Sequence, residues 1–438
     1  MRPRGRLPER GFSGFGSQGG GGLSDLRQRV LDRAPGLGGV LAAWFDHMSE
    51  PEAYYELLSA SEANLDRAAH IAQNAPVLVE FLANSPEVTA SIVGGSLEED
   101  EQPEYRVVRL AANALPKDVA AAARSAWLSA CCQWVLGIRH DLGSALSRLA
   151  DTLLNHIAGR LCAEYDIIAV GSYGLDYLAP DSDLDAFLLV DDGFPQADAE
   201  EHAQQLVALY ARLRGLGAPF EFDPFLRNEG KHGLLVRTYS GFESYELERM
   251  DMNERFVLGQ ARLVRGNPDG LQRVIHAAYA LPVTPERLME LVRMKRRIET
   301  EQNQPKYFRR NVKIGYGGLT DIEWFTHLFE MRFPTATKAG TPRLMDDRLR
   351  AIAHAELLNA FELEALLEAR RHLVATRNWL WFMGFADDIV PENPAKLDRL
   401  AHAMHFKDGN EFLRAHENAI EAVRGIYVEG LERLKVQA

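Results

Sequence analysis

Cysteine is scarce in this sequence: Cys131, Cys132 and Cys162 are the only three in 438 residues. So few thiols build no disulfide framework. The adjacent Cys131-Cys132 lacks metal-site spacing, so both read as buried apolar residues of a helix. Absence of a bridge framework points to the cytoplasm. Basic charge is also in deficit: 49 basic residues stand against 62 acidic ones, a net charge of −13. A general nucleic-acid binder needs a basic surface to displace counterions, and that class is set aside. A small nucleotide held by metal, or a protein substrate, is compatible with the deficit. No apolar run is long enough to span a membrane. The opening MRPRGRLPERGFSGFGSQGGGG lacks the apolar core of a secretory signal and reads as a Gly- and Arg-rich disordered tail over residues 1–22. There is no internal repeat, no coiled-coil heptad pattern and no G-K-[ST] of a Walker A loop.

The rest has the composition of an ordinary globular protein, 46% hydrophobic and 25% charged, long enough for two or three domains. Residues 23–163 read as an N-terminal helical region. Leu23–Leu31 carries Ser24 as a candidate N-cap, and Pro51–Ala60 and Leu65–Ala72 show helical spacing. A short amphipathic helix between Asn74 and Pro86 is bracketed by prolines. Val119–Gly137 and Leu142–Leu161 are long helices. Their stripes, Trp127, Cys131, Trp134 and Val135, then Leu146, Leu149, Leu153 and Ile157, read as core. His140-Asp141 lacks further histidines and reads as a helix-end feature rather than a phosphohydrolase metal site. Residues 284–438 read as a C-terminal helical domain, with Leu319–Phe333 as one helix and the Trp379–Phe382 stretch as core.

Residues 164–283 carry the chemistry. Two apolar runs, Asp166–Val170 and Ala186–Val190, read as short strands. Between them lie Gly171-Ser172 and then Ser182-Asp183-Leu184-Asp185. On an extended chain Asp183 and Asp185 project to one face. Paired carboxylates repel unless cations sit between them, and hard divalent ions such as Mg²⁺ suit oxygen ligands. Gly171 and Ser172 offer amides and a hydroxyl to a phosphate. Helix Ala197–Leu216 follows, then an alternating strand around Phe220 and Phe222 that ends at Asp223, the third candidate carboxylate. Arg227, Lys231 and Arg237 either neutralise a polyphosphate or sit solvated. Arg255 and Arg262 fall seven apart on the expected helix Met252–Arg262; Arg262 either reaches the phosphate or pairs with an acid such as Glu254. Lys313 with Gly315, Gly317 and Gly318 opens a helix and either presents amides to an anion or only turns the chain, with Thr320 and Glu323 as a capping box.

A Gly-Ser turn, a spacer and D-x-D on a strand resemble the DNA polymerase β-like nucleotidyltransferases. Several stretches, in order, further resemble the glutamine synthetase adenylyltransferase/adenylyl-removase family. Asn74–Val88 is similar to its S-P-F-L helix, Phe222–Arg227 with Gly230, Lys231 and Gly233 to V-D-L-R-L-R-P-x-G-x-x-G, and Glu254 with Ala261-Arg262 to W-E-x-x-A-L-x-x-A-R. The most specific stretch is Val312–Trp324, similar to I-K-x-G-x-G-G-I-R-D-I-E-F. The resemblance implies an α+β, mainly helical fold: a polymerase β-like core with flanking helical bundles. It implies two Mg²⁺ ions on Asp183, Asp185 and Asp223, with ATP as donor near Gly171, Ser172, Arg227, Arg262, Lys313, Gly315, Gly317 and Gly318. Glutamine synthetase is the implied protein substrate, through a tyrosine hydroxyl, with a nitrogen-signalling regulatory protein as a further partner. Phosphorolytic removal of AMP is the reverse alternative, and a non-catalytic binding module is another. A uridylyltransferase is disfavoured, since no phosphohydrolase or ligand-sensing segment is visible. Members usually carry two such modules in tandem; one is seen here. Ser172 stands where the family has Lys, Leu175 and Asp176 replace Gly and Arg, Phe225 replaces Arg, Asn253 replaces Trp and Thr320 replaces Arg. The direction of reaction stays open on these residues.

Overall fold

The computed structural model describes residues 23–436 apart from 35, 100–101, 103, 112, 162–164, 225–233, 249, 280–282, 338, 340–343 and 386–387. The fold is α+β and mainly helical, as the sequence leads one to expect. Proline opens the helices Pro51–Ala60, Pro76–Ala83, Pro86–Gly94 and Pro116–Val135, where a missing N–H costs nothing. The first described helix runs Leu23–Asp32, so Ser24 lies inside its first turn instead of capping it. Helices Pro116–Val135 and Leu142–Arg160 pack on each other, with Cys131 and Cys132 fully buried between them. No helix among the described residues is long and apolar enough to cross a membrane.

A small mixed sheet packs one face on helices Leu142–Arg160 and Gln196–Gly215 and the other on Tyr239–Glu248 and Pro268–Tyr279. Its strands are β1 (Tyr165–Ala169), β2 (Leu184–Val190), β3 (Phe222–Asp223), β4 (Val236–Thr238) and β5 (Arg262–Arg265). The order is β3-β2-β1-β5, with β4 also beside β2. β1 is antiparallel to β2 and β5, while β2 is parallel to both β3 and β4. A parallel neighbour needs a crossover, and helix Gln196–Gly215 provides it. Both faces of the sheet are covered, which is why β1 and β2 read as continuous apolar runs. Ile167, Ala169, Leu184, Ala186 and Leu188 join the main core. Ile168, Phe187 and Leu189 face a second core with Tyr239, Phe242 and Val274.

Two expected elements differ. The strand expected around Phe220 is only Phe222–Asp223, because Phe220 adopts φ +64° and breaks the extended run. The helix expected to reach Arg262 stops at Leu258; Gly259 follows, and Arg262 starts β5.

The first and last helical segments meet through aromatic rings. Trp134 lies 4.8 Å from Trp379 and 5.3 Å from Phe382, and Trp127 lies 5.8 Å from Trp381. Helix Ala360–Phe382, started by an Asn359–Glu362 capping box, packs on Gly409–Val436. Between them His416 Nδ1 is 3.4 Å from His372 Nε2. Burial pushes His372 down to about 4. Burial, His372 and the nearby Arg310 and Arg309 push His416 down to about 3. Above the unfolded value of about 6.5 both states are neutral, and the pair has no pH effect. Below it the unfolded chain takes up protons that the folded chain refuses, so stability falls as pH drops from about 6.5 toward 4. Urea midpoints are expected to fall between pH 7 and pH 5, and less steeply in His416→Leu. Equal slopes in the two proteins would show that the pair does not carry the effect.

Candidate active site

The parallel register builds the site. Leu184 pairs with Phe222 and Asp185 with Asp223, and Leu184 N–H donates to the Glu221 carbonyl at 2.7 Å. Leu184 and Phe222 point into the core, so the flanking acids turn the other way. Asp183, Asp185 and Asp223 are thereby brought to one end of the sheet. Glu221 joins them, a residue that the sequence reading passed over. Its signal was the E-F-D of Glu221–Asp223, which repeats the spacing of D-L-D on the neighbouring strand.

The electrostatics are those of crowded like charges. Burial first, then Asp223 and Asp183, push the Asp185 carboxyl up to about 6. Burial, Glu221, Asp223 and Asp181 raise Asp183. Lys313 opposes the rise at both. It comes from the far C-terminal segment and is exposed at the site. Among the described residues no group of three or more His, Cys, Asp or Glu stands at ion-holding spacing. The donor chemistry nevertheless fits a hard dication: the donors are carboxylate oxygens, and their repulsion is what such a charge relieves.

Gly171 follows β1 at φ +61°, and an added Cβ would lie 2.7 Å from Asp185 Oδ2. Glycine is therefore needed here for the close approach of Asp185 as well as for the turn. Ser172 follows it in the one-turn helix Gly171–Gly174.

The other expected phosphate ligands are placed differently. Arg262 is paired, but with Asp151 and not Glu254: Nη1 reaches Asp151 Oδ2 at 2.6 Å and Nη2 reaches Oδ1 at 3.0 Å. It also donates to the Tyr173 carbonyl, behind the Gly171 turn. Arg227, Lys231, Gly230 and Gly233 lie outside the described residues. Arg237 stacks over the Tyr245 ring at 5.2 Å.

The Gly315–Gly318 loop is not an open anion cradle, because its amides are already used. Gly315 N–H donates to Asn311 O, Tyr316 N–H to Phe308 O and Gly318 N–H to Gly315 O. Leu319 and Thr320 N–H donate to Val312 O and Lys313 O, and Gly317 N–H to Asp321 Oδ2 at 2.8 Å. The glycines serve close packing: a Cβ on Gly317, at φ +69°, would fall on the Ile420 carbonyl oxygen. Nor do Thr320 and Glu323 form a capping box. Thr320 Oγ1 donates to Lys313 O, and Glu323 Oε1 accepts from the Tyr177 hydroxyl.

Asp321, wholly buried, anchors the loop. It accepts from Lys295 Nζ, from Arg424 Nη1 at 3.1 Å and from Gly317. Glu299 balances the same cations, 2.9 Å from Arg424 and 3.4 Å from Lys295. Removing one partner of a buried network strands the others. Asp321→Ala is expected to lower stability by about 3–5 kcal/mol in urea titration. Gly171→Ala, which adds a strained φ costing about 1–2 kcal/mol, is expected to destabilise less but to displace Asp185. An Asp321→Ala loss under 1 kcal/mol would argue that the loop is held by packing alone.

Residues 291–429 match the GlnD PII-uridylyltransferase family model. The bifunctional glutamine synthetase adenylyltransferase/adenylyl-removing enzyme of Mycobacterium marinum is 30% identical over 289 residues, covering 61% of this chain and 29% of that protein. That of Bifidobacterium longum strain DJO10A is 30% identical over 254 residues, 54% of this chain and 23% of that protein. That of Leifsonia xyli subsp. xyli is 27% identical over 388 residues, 81% of this chain and 38% of that protein. The chain thus spans well under half the length of the curated relatives it matches. With acidic strands at one end of its sheet, the chain is similar in sequence to one part of the bifunctional glutamine synthetase adenylyltransferase/adenylyl-removing enzymes.

Proposed function

We propose that this chain is a Mg²⁺-dependent nucleotidyltransferase that moves AMP from ATP to a tyrosine hydroxyl of glutamine synthetase. The observation that carries the reading is the β2–β3 register, which sets Asp185 opposite Asp223 beside Asp183, with the charge of Lys313 bearing on Asp183 and Asp185. The sheet is read as a polymerase β-like core. Asp183 and Asp185 would hold two Mg²⁺ ions, and Asp223 the one nearer the attacking oxygen. Bound there, the ions would supply Lewis acidity for the tyrosine hydroxyl and the α-phosphate.

The chain's own groups do the rest. Gly171 keeps the turn close enough for Asp185 to reach the site, and the Ser172 hydroxyl donates to the outer phosphates. Lys313 offsets charge on the polyphosphate, in place of Arg262, which is committed to Asp151. The tyrosyl oxygen forms its bond to the α-phosphorus as the bond to pyrophosphate breaks, and pyrophosphate leaves with the electron pair. Solvent takes the hydroxyl proton. In the reverse alternative, a phosphate oxygen forms its bond to the phosphorus of the tyrosine-bound AMP as the bond to the tyrosyl oxygen breaks; that oxygen leaves with the electron pair and takes a proton from solvent, and ADP is released. The name of the related enzymes carries both activities. The PII-uridylyltransferase match lies on 291–429, outside the acidic strands, and does not choose the base.

The test is transfer of label from α-labelled ATP to glutamine synthetase in the presence of Mg²⁺. Asp183→Asn and Asp185→Asn are expected to lose at least a thousandfold in rate while melting no lower than the parent. Full activity in either variant would refute the assignment. Release of ADP from adenylylated glutamine synthetase and phosphate, without forward labelling, would establish the reverse direction instead.

A further inference from the structure

We propose that Tyr177 and Glu323 are positioning residues: together they clamp the loop that leads into Asp183 to the segment that carries Lys313, so that the C-terminal helices set the geometry of the acidic site. The consequence for catalysis rests on the nucleotidyltransferase reading; the clamp itself does not.

The loop between the Gly171 turn and β2 has little regular structure of its own, yet it delivers Asp183. It is held from two sides. From the N-terminal helices, Ser144 Oγ donates to the Asp176 carbonyl at 3.1 Å and Trp127 Nε1 to the Pro180 carbonyl at 3.2 Å. Gly143 lets the loop approach, since a Cβ there would lie 2.8 Å from Tyr177 Cα. From the C-terminal side the Tyr177 hydroxyl donates to Glu323 Oε1, and the Arg370 guanidinium lies 5.5 Å over the Tyr177 ring. Arg370 is fixed in turn by Asp346 at 2.7 Å.

Glu323 sits one helical turn beyond Thr320, whose N–H and hydroxyl both donate to the Lys313 carbonyl at 2.9 Å. The same short helix end therefore holds the Lys313 backbone and receives Tyr177. Lys313, Arg377 and Arg370 are the cations whose charge bears on Glu323. The charge of Lys313 also bears on Asp183 and Asp185. Moving Glu323 would thus release Tyr177 and shift a cation whose charge bears on the acids, a two-way coupling across 146 residues of sequence.

Hydrogen exchange and Mn²⁺ titration of the full chain test this together. Tyr177→Phe is expected to speed amide exchange about tenfold in both 175–183 and 312–320, leaving Ala186–Val190 unchanged. It is also expected to weaken Mn²⁺ binding about tenfold, with α,β-methylene-ATP present. Glu323→Gln, which still accepts a hydrogen bond, should retain more of both properties than Glu323→Leu. Unchanged exchange in 312–320 on Tyr177→Phe would overturn the clamp. Raised exchange with undiminished Mn²⁺ affinity would overturn its role at the site. A parent chain that binds no Mn²⁺ would sink the nucleotidyltransferase reading and, with it, the role at the site, while the exchange data would still judge the clamp alone.

Discussion

Like charges held side by side by backbone hydrogen bonds are the constraint around which this molecule is built. β2 and β3 pair over only two residues, yet that pairing sets Asp185 against Asp223. Two carboxylates a few ångströms apart repel by about 3–4 kcal/mol at the effective dielectric of a partly exposed site. Each fully buried leucine or phenylalanine returns about 1.5–3 kcal/mol. Leu184, Leu188 and Phe222 lie behind the acids in the main core, and Phe187 and Leu189 in the second. Their burial outweighs the repulsion, so the strands stay paired, and burial of the carboxyl, with the repulsion added to it, shows as the raised carboxyl of Asp185.

The helices on either side serve that strained edge in different ways. The N-terminal helices hold the loop before Asp183 through Trp127 and Ser144. The C-terminal helices hold Lys313 through a loop whose amides are all internally bonded and whose buried Asp321 is matched by Lys295 and Arg424. A glycine-rich loop ahead of a helix has the composition of an anion site. Here its conformation is spent on approaching helix Gly409–Val436. The two helical segments also touch directly through Trp127, Trp134, Trp379 and Trp381, so the supports on the two sides of the sheet are parts of one packed body.

Much of this was legible in the sequence because the informative signals are local. The apolar runs of β1 and β2, the D-L-D between them and the long helices 116–135 and 142–160 follow from periodicity, within a few residues of their observed ends. Arg262 was misplaced because its register comes from pairing with Ala169, a non-local contact, although Gly259 already marked a helix end. The amides of the Gly315–Gly318 loop could not be judged, since their acceptors at Phe308, Asn311 and Val312 depend on how the chain folds back. Glu221 was visible as half of a second alternating acidic pair and was overlooked because Phe222 drew attention to the strand instead.

The composite nature of the site explains why no short motif could settle it. The acids come from the sheet, while Lys313, whose charge bears on Asp183 and Asp185, comes from the segment that matches the PII-uridylyltransferase family model, well beyond β3 in the sequence. A D-x-D strand without Lys313 is a patch of repelling carboxylates, and the Lys313 loop without the sheet is a turn with satisfied amides. Neither has a function to select by itself. On the proposed reading both are needed at one site, so the contacts that hold the Lys313 segment near the sheet bear on that chemistry as much as the acids do.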